Sequence, residues 1–220
     1  MAPMRTLLLV ASLFLAAPAA AAEAFVVDDS TGTRFEAETT VGNTRYRCLG
    51  AGVRKVFLFK AYAVTWCLQA DKVDDTLVGY LKKNHPEKTG GALADALEDD
   101  QRFFDALSSA PGDKLVVMKL VRDISKDQIA GAFRDSLGDV LPPEKVEKLI
   151  DTIPGDGKDG QKILLYSQGG TLVIDIAGTA RRIEDKEIAS KLWRVWLGPG
   201  SPTPSLKDSI ARQVAAKAST

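Results

Sequence analysis

Hydrophobic and polar positions are distributed most unevenly between Leu49 and Leu68, LGAGVRKVFLFKAYAVTWCL. Val56, Phe57, Leu58, Phe59, Ala61, Ala63, Val64, Trp66 and Leu68 leave too few polar positions for a strand with one wet face. Their aromatic and β-branched content predicts a strand covered on both sides. Gly50-Ala51-Gly52 ahead of the run predicts the reversal that lays Thr44 to Leu49 alongside it as the other arm of a hairpin. In that register Phe57 and Phe59 are core residues, and Lys60 shares a strand face with Tyr62. Arg54 at the turn, with Lys60 and Tyr62 inside the run, would then be polar groups in a covered element. Each needs a partner, which is either another side chain or a ligand.

The rest of the chain alternates strand and helix patterns in blocks. Phe25 to Thr40 mixes short apolar pairs with turn residues and predicts one or two edge strands. Val73, Leu77, Tyr80 and Leu81 have helical spacing, ended at Asn84-His85-Pro86. Leu93, Leu97, Phe104 and Leu107 fall on one stripe and predict a single amphipathic helix, with Glu98, Asp99 and Asp100 on its solvated face. KLVVMKLV (Lys114 to Val121) predicts a buried strand. Ser125-Lys-Asp-Gln128 has the capping-box pattern, and Pro142-Pro143 forces a new helix start. Lys162 to Ser167 and Thr171 to Ile176, joined through Gly169-Gly170, predict a hairpin, with a further short strand over Thr179 to Ile183. Helices follow around Ile188 to Trp196 and from Ser205, which is read as the cap of the last one. Strands and helices in separate blocks predict an α+β fold rather than parallel βαβ units.

Met1 to Ala22 carries Arg5, an apolar core from Leu7 to Leu15 and an Ala20-Ala21-Ala22 ending. This predicts a secretory signal peptide cleaved after Ala22, leaving one domain over 23–220 and a periplasmic or secreted address. No later stretch is apolar enough to span a membrane. Lysine plus arginine total 29 and aspartate plus glutamate total 29, so no net basic charge favours nucleic acid. With the reversal at Gly50 to Gly52, Cys48 falls opposite Val56 and far from Cys67, so the two cysteines are expected as apolar thiols packed in the sheet.

Much chemistry is missing. His85 is the single histidine, expected as a surface loop residue, which removes Ser-His-Asp, Cys-His and multi-histidine metal chemistry. No phosphate-cradling or dinucleotide glycine motif is present, and no cofactor is expected. The aspartates of Gly155 to Gly160 lack the spacing of a calcium loop and predict a plain turn. Trp193 and Trp196 are expected in the core. Arg54, Lys60 and Tyr62 remain as the candidate binding group, because a guanidinium fork and a phenol can both donate to a carboxylate or an enolate-like oxygen. The alternative is an arginine paired with a local carboxylate and a tyrosine packed at a sheet margin.

GAGVR (Gly50 to Arg54) followed by KAYAVTWCL (Lys60 to Leu68) resembles the chalcone isomerase family, in particular its bacterial exported chalcone isomerase-like members. The likeness continues through Pro154 to Tyr166, Gly170-Thr-Leu-Val and the Trp196-Leu-Gly to Leu206-Lys-Asp-Ser-Ile-Ala-Arg ending. It implies an open-faced antiparallel sheet backed by helices, with a cleft between sheet and helical layer. Arg54 matches the arginine that assists chalcone cyclisation in the enzymes and, with a tyrosine, holds the carboxylate in fatty-acid-binding members. Tyr62 stands where the enzymes carry a threonine. Gln128, Asp135 and Val195 fall near enzyme positions held by tyrosine, asparagine and threonine, and an aspartate would oppose a developing oxyanion. The resemblance therefore implies a non-catalytic binder of a lipophilic carboxylate such as a fatty acid. Two other readings stand beside it: a chalcone isomerase-type intramolecular lyase, with Arg54 and Tyr62 catalytic, and a partner-binding module with a closed core.

Overall fold

The computed structural model describes residues 24–219; the signal segment expected over residues 1–22 lies outside them. The main sheet runs in chain order, β3 (Glu38–Val41), β4 (Thr44–Val56), β5 (Phe59–Gln69), β6 (Lys114–Leu120), β7 (Lys162–Gln168), β8 (Thr171–Ile176) and β9 (Thr179–Ile183). Each neighbouring pair is antiparallel. A separate hairpin, β1 (Phe25–Asp28) with β2 (Thr33–Glu36), lies against the opposite face from the helices. The helices are α1 (Ala70–Asn84), α2 (Gly90–Glu98), α3 (Gln101–Ser109), α4 (Lys126–Leu137), α5 (Pro143–Ile150), α6 (Lys186–Lys191), α7 (Arg194–Leu197) and α8 (Pro204–Lys217). This is an α+β architecture with two apolar layers. The larger one places Val64, Trp66 and Leu68 of β5 under Leu97, Phe104, Leu192 and Ile210 of the helices. The smaller one packs Val26 and Phe35 on Cys48, Ala63 and Val117. Toward β9 the sheet is open, with Thr179 to Arg182 exposed.

The central hairpin differs from the sequence expectation. Its reversal is at Phe57-Leu58, and β4 continues straight through Gly50-Ala51-Gly52. Those glycines serve a close approach. A Cβ at Gly50 would stand 2.6 Å from the Ile210 nitrogen, and one at Gly52 2.4 Å from the Leu206 nitrogen, so α8 lies directly on the strand. The hydroxyls of Ser209 and Ser205 accept from the Ala51 and Val53 amides, each at 3.1 Å. Ser205 is therefore spent on β4, and the helix begins at Thr203 with Pro204 in its first turn.

Moving the turn changes the register. Cys48 and Cys67 become direct partners across β4 and β5 and form a disulfide, correcting the expectation of separate thiols. Phe57 and Leu58 are each 94% exposed and Phe59 62%, so the phenylalanines expected in the core form a bare tip. The stripe expected as one helix is broken into α2 and α3, because Asp100 turns inward and caps α3 by accepting from the Arg102 amide. The capping box on α4 forms in full, and Gly169 and Gly170 take positive φ in the β7–β8 turn.

Candidate functional site

Arg54 and Tyr62 are direct antiparallel partners on β4 and β5, so their side chains leave the same sheet face. Both are half-buried. The face is the helix-covered one, since Tyr62 packs against the larger apolar layer. Among the described residues no carboxylate forms an ion pair with Arg54, whereas most other arginines in the sheet and helices meet one. Its guanidinium faces the Tyr62 oxygen rather than a carboxylate.

Lys60 leaves the group. The ladder shifts by one residue between the Arg54–Tyr62 and Lys55–Lys60 pairs, a bulge at Ala61. Lys60 is exposed, and its ammonium donates to the Ser30 carbonyl in the β1–β2 turn, on the opposite side of the sheet from Tyr62.

Trp196 joins the site instead. It is buried on α7, and among the described residues its indole Nε1 makes no well-formed hydrogen bond and only faces the Tyr62 oxygen, in contrast to Trp193, whose Nε1 donates to the Ala189 carbonyl at 2.7 Å. Burial pushes the Tyr62 phenol up from its ordinary pKa. The Arg54 charge and the Trp196 and Arg54 donors facing its oxygen pull the other way. Arg54 and Trp196 thus direct donors at the Tyr62 oxygen, whose own hydroxyl can donate onward, and with no carboxylate of the described residues paired to Arg54 the three groups are the electrostatic complement of an anion. The pairing of Arg54 with Tyr62 was legible in the motif. Trp196 was not, since its only sequence signal is that an indole N–H must find a partner when buried.

Further along the same face, with Leu120 between, lies an apolar cavity of about 60 Å³ under α4, lined by Met118, Ile163, Leu165, Ile129 and Phe133. Small-molecule pockets usually run from about 300 Å³ upward, so a lipid tail enters only if its roof moves. The roof is held by few buried side chains. On α4 only Ala130 and Leu137 are buried. Its outer ties are exposed, namely the Lys126 amide to Asp156 at 2.9 Å and the Arg134–Glu147 fork at 2.7 and 2.8 Å.

The positions aligned with isomerase groups do not build a second set of donors. The Gln128 side-chain oxygen accepts from the Ser125 backbone amide and the Gln128 backbone amide donates to the Ser125 hydroxyl, so the residue caps α4. Asp135 is exposed and Val195 is a buried apolar residue.

A second polar cluster forms where a surface loop was expected. The His85 side chain is 11% exposed and that of Asp100 8%. Asp100 accepts from the Tyr80 hydroxyl at 2.6 Å and the Arg102 guanidinium at 3.2 Å, and meets His85 Nε2 at 3.1 Å. Burial alone would raise the Asp100 pKa, but hydrogen bonds from Tyr80, His85 and Arg102 outweigh it and hold the carboxyl at about 2. This cluster ties α1 to α3. No group of residues suited to hold a metal occurs among the described residues.

Sheet, helical layer and the Arg54–Tyr62 hairpin together define a chalcone isomerase-like fold. A solved structure with this arrangement is the Arabidopsis thaliana fatty-acid binding protein AtFAP1, which superposes with a TM-score of 0.67 over 88% of this chain and 98% of that one, at 18% sequence identity. At that identity the likeness concerns the fold. No family model matches the chain, and no curated protein matches it.

Proposed function

We propose that the protein binds a lipophilic carboxylate, with a fatty acid as the simplest candidate, and performs no chemistry on it. The observation that carries this reading is the convergence of Arg54, Tyr62 and Trp196 with no carboxylate paired to Arg54 among the described residues. The head group takes the guanidinium fork, the phenol and the indole N–H, and the tail lies along the sheet past Leu120 into the cavity under α4. The AtFAP1 likeness supports the same ligand class. Export, expected from the first residues, makes the periplasm or cell exterior the place where the ligand is met.

The test is native mass spectrometry of protein purified from its own host, followed by organic extraction. A stoichiometric fatty acid, lost in Arg54→Met and Tyr62→Phe variants that keep the wild-type urea midpoint, is the expected result. A protein that arrives empty and fails to take up added fatty acids sinks the reading. Turnover of chalcones that Arg54→Met abolishes would replace it with the intramolecular lyase.

A further inference from the structure

The β4–β5 hairpin ends in Val56-Phe57-Leu58-Phe59, four consecutive apolar residues that the described residues leave exposed, at 43, 94, 94 and 62%. This is unusual, because hairpin turns are normally built of glycine, asparagine or aspartate. Phe57 also holds φ at 54°, a conformation that bulky side chains rarely adopt. A polar or glycine turn would relieve both costs, so the tip is expensive to the folded state and gains nothing from the core.

Its surroundings are cationic. Lys55 and Lys60 stand directly opposite each other at its base, like charges placed where opposite ones would stabilise the ladder. Arg122 lies over the Phe59 ring at 4.9 Å. No acidic residue occurs between Glu38 and Asp71. Asp123, one residue from Arg122, is engaged by Lys158 and by the Asp159 amide. A convex aromatic tip ringed by lysine and arginine has the chemistry of an interfacial membrane anchor, in which apolar side chains enter the headgroup and acyl boundary while cations pair with lipid phosphates. A protein groove would ask for shape complementarity to a single face, whereas here apolar and cationic groups surround one protruding turn.

We propose that this hairpin tip docks the protein on an anionic lipid bilayer. At about 3.3 Å per residue, Arg54 lies roughly 10 Å behind Phe57 along β4, and interfacial segments bury roughly 5–10 Å deep. Docking therefore brings Arg54 and Tyr62 to the level of the lipid headgroups. The docking stands on the tip and its cationic base, whatever the Arg54 site binds.

Cosedimentation with vesicles of phosphatidylcholine mixed with phosphatidylglycerol tests this. Wild type is expected to bind, less so as salt rises, and to leave purely zwitterionic vesicles largely unbound. Phe57→Ser/Leu58→Ser should weaken binding roughly 30-fold by exposing less apolar surface. Lys55→Gln/Arg122→Gln should weaken it by a similar factor, at roughly fivefold per charge. All four positions are at the surface and the tip adds nothing to the core, so circular dichroism should be unchanged and the urea midpoint should not fall below the wild-type value. Undiminished binding of the tip variant, equal binding to zwitterionic vesicles, or no vesicle binding by the wild type would each overturn the proposal. So would a wild-type dimer in sedimentation that the tip variant converts to monomer in place of vesicle binding. Fatty-acid uptake measured without vesicles keeps this outcome separate from that of the carboxylate site.

Discussion

Replacing Gly52 with alanine tests whether the sheet is closed by direct contact between β4 and α8. The added Cβ would lie 2.4 Å from the Leu206 nitrogen, 2.7 Å from its Cα and 2.8 Å from its Cβ. Carbon contacts settle near 3.5–4 Å, so the helix must withdraw by roughly 1 Å. Backbone atoms are met, and no side chain can rotate out of the way. Forced overpacking of this kind costs about 1–3 kcal/mol. Withdrawal also stretches the 3.1 Å bond from the Val53 amide to Ser205 Oγ beyond bonding range, adding about 1 kcal/mol. Alanine restricts the unfolded chain and returns about 0.5 kcal/mol. The net loss is about 1.5–3.5 kcal/mol, a large part of the roughly 5–15 kcal/mol that holds a domain folded. Urea unfolding followed by far-UV circular dichroism measures it, with Gly131→Ala as the reference. At Gly131, inside α4, an added Cβ meets nothing within 4 Å, and alanine should stabilise by about 0.5–1 kcal/mol. If Gly52→Ala loses less than about 1 kcal/mol, α8 does not need the glycine and the argument fails.

Reducing the Cys48–Cys67 bond, whose sequence separation is 19, should lower stability by about 3 kcal/mol through the released loop entropy; an unchanged urea midpoint in dithiothreitol would contradict this. Asp100 has its folded pKa near 2, below the ordinary 3.8, so its contribution is complete above about pH 4 and is lost as pH falls toward 2. That contribution is about 2 kcal/mol, and Asp100→Asn should remove it from the acid limb of a pH–stability profile. Trp196→Phe removes an indole N–H that makes no well-formed hydrogen bond among the described residues, so folding should change little. Fatty-acid affinity, read by isothermal titration, should nevertheless fall roughly tenfold; an unaltered affinity would remove Trp196 from the site.

Elements governed by neighbours in sequence were legible, and those governed by distant residues were not. The capping box of Ser125 and Gln128, the Pro143 helix start and the Gly169-Gly170 turn form where local chemistry places them. Gly50 and Gly52 look like turn residues, but they are small because α8 lies on them, a contact made across more than half the chain. Phe57-Leu58 has no turn chemistry at all, so nothing nearby marks the reversal. The misreadings of the cysteines and the phenylalanines follow from that displacement, and that of the face of Lys60 from the bulge at Ala61. Arg54 and Tyr62 survived it because the motif resemblance, rather than the strand register, brought them together. Asp100 broke the α2–α3 stripe through Tyr80 and His85, partners that periodicity does not detect.

The seam between β4 and α8 also sets an order of events. β3 accompanies β4 only as far as Arg47, and beyond it the outer edge of the strand is completed by two serine hydroxyls. Those serines are made long after the strand, once every other sheet element has been synthesised. Until then the growing chain carries an unpaired β-edge next to an apolar hairpin, the template on which foreign strands add and aggregates begin. Truncation before Ser205, or delay in completing the last helix, should therefore show first as insolubility of the nascent protein, before any loss of function could be measured.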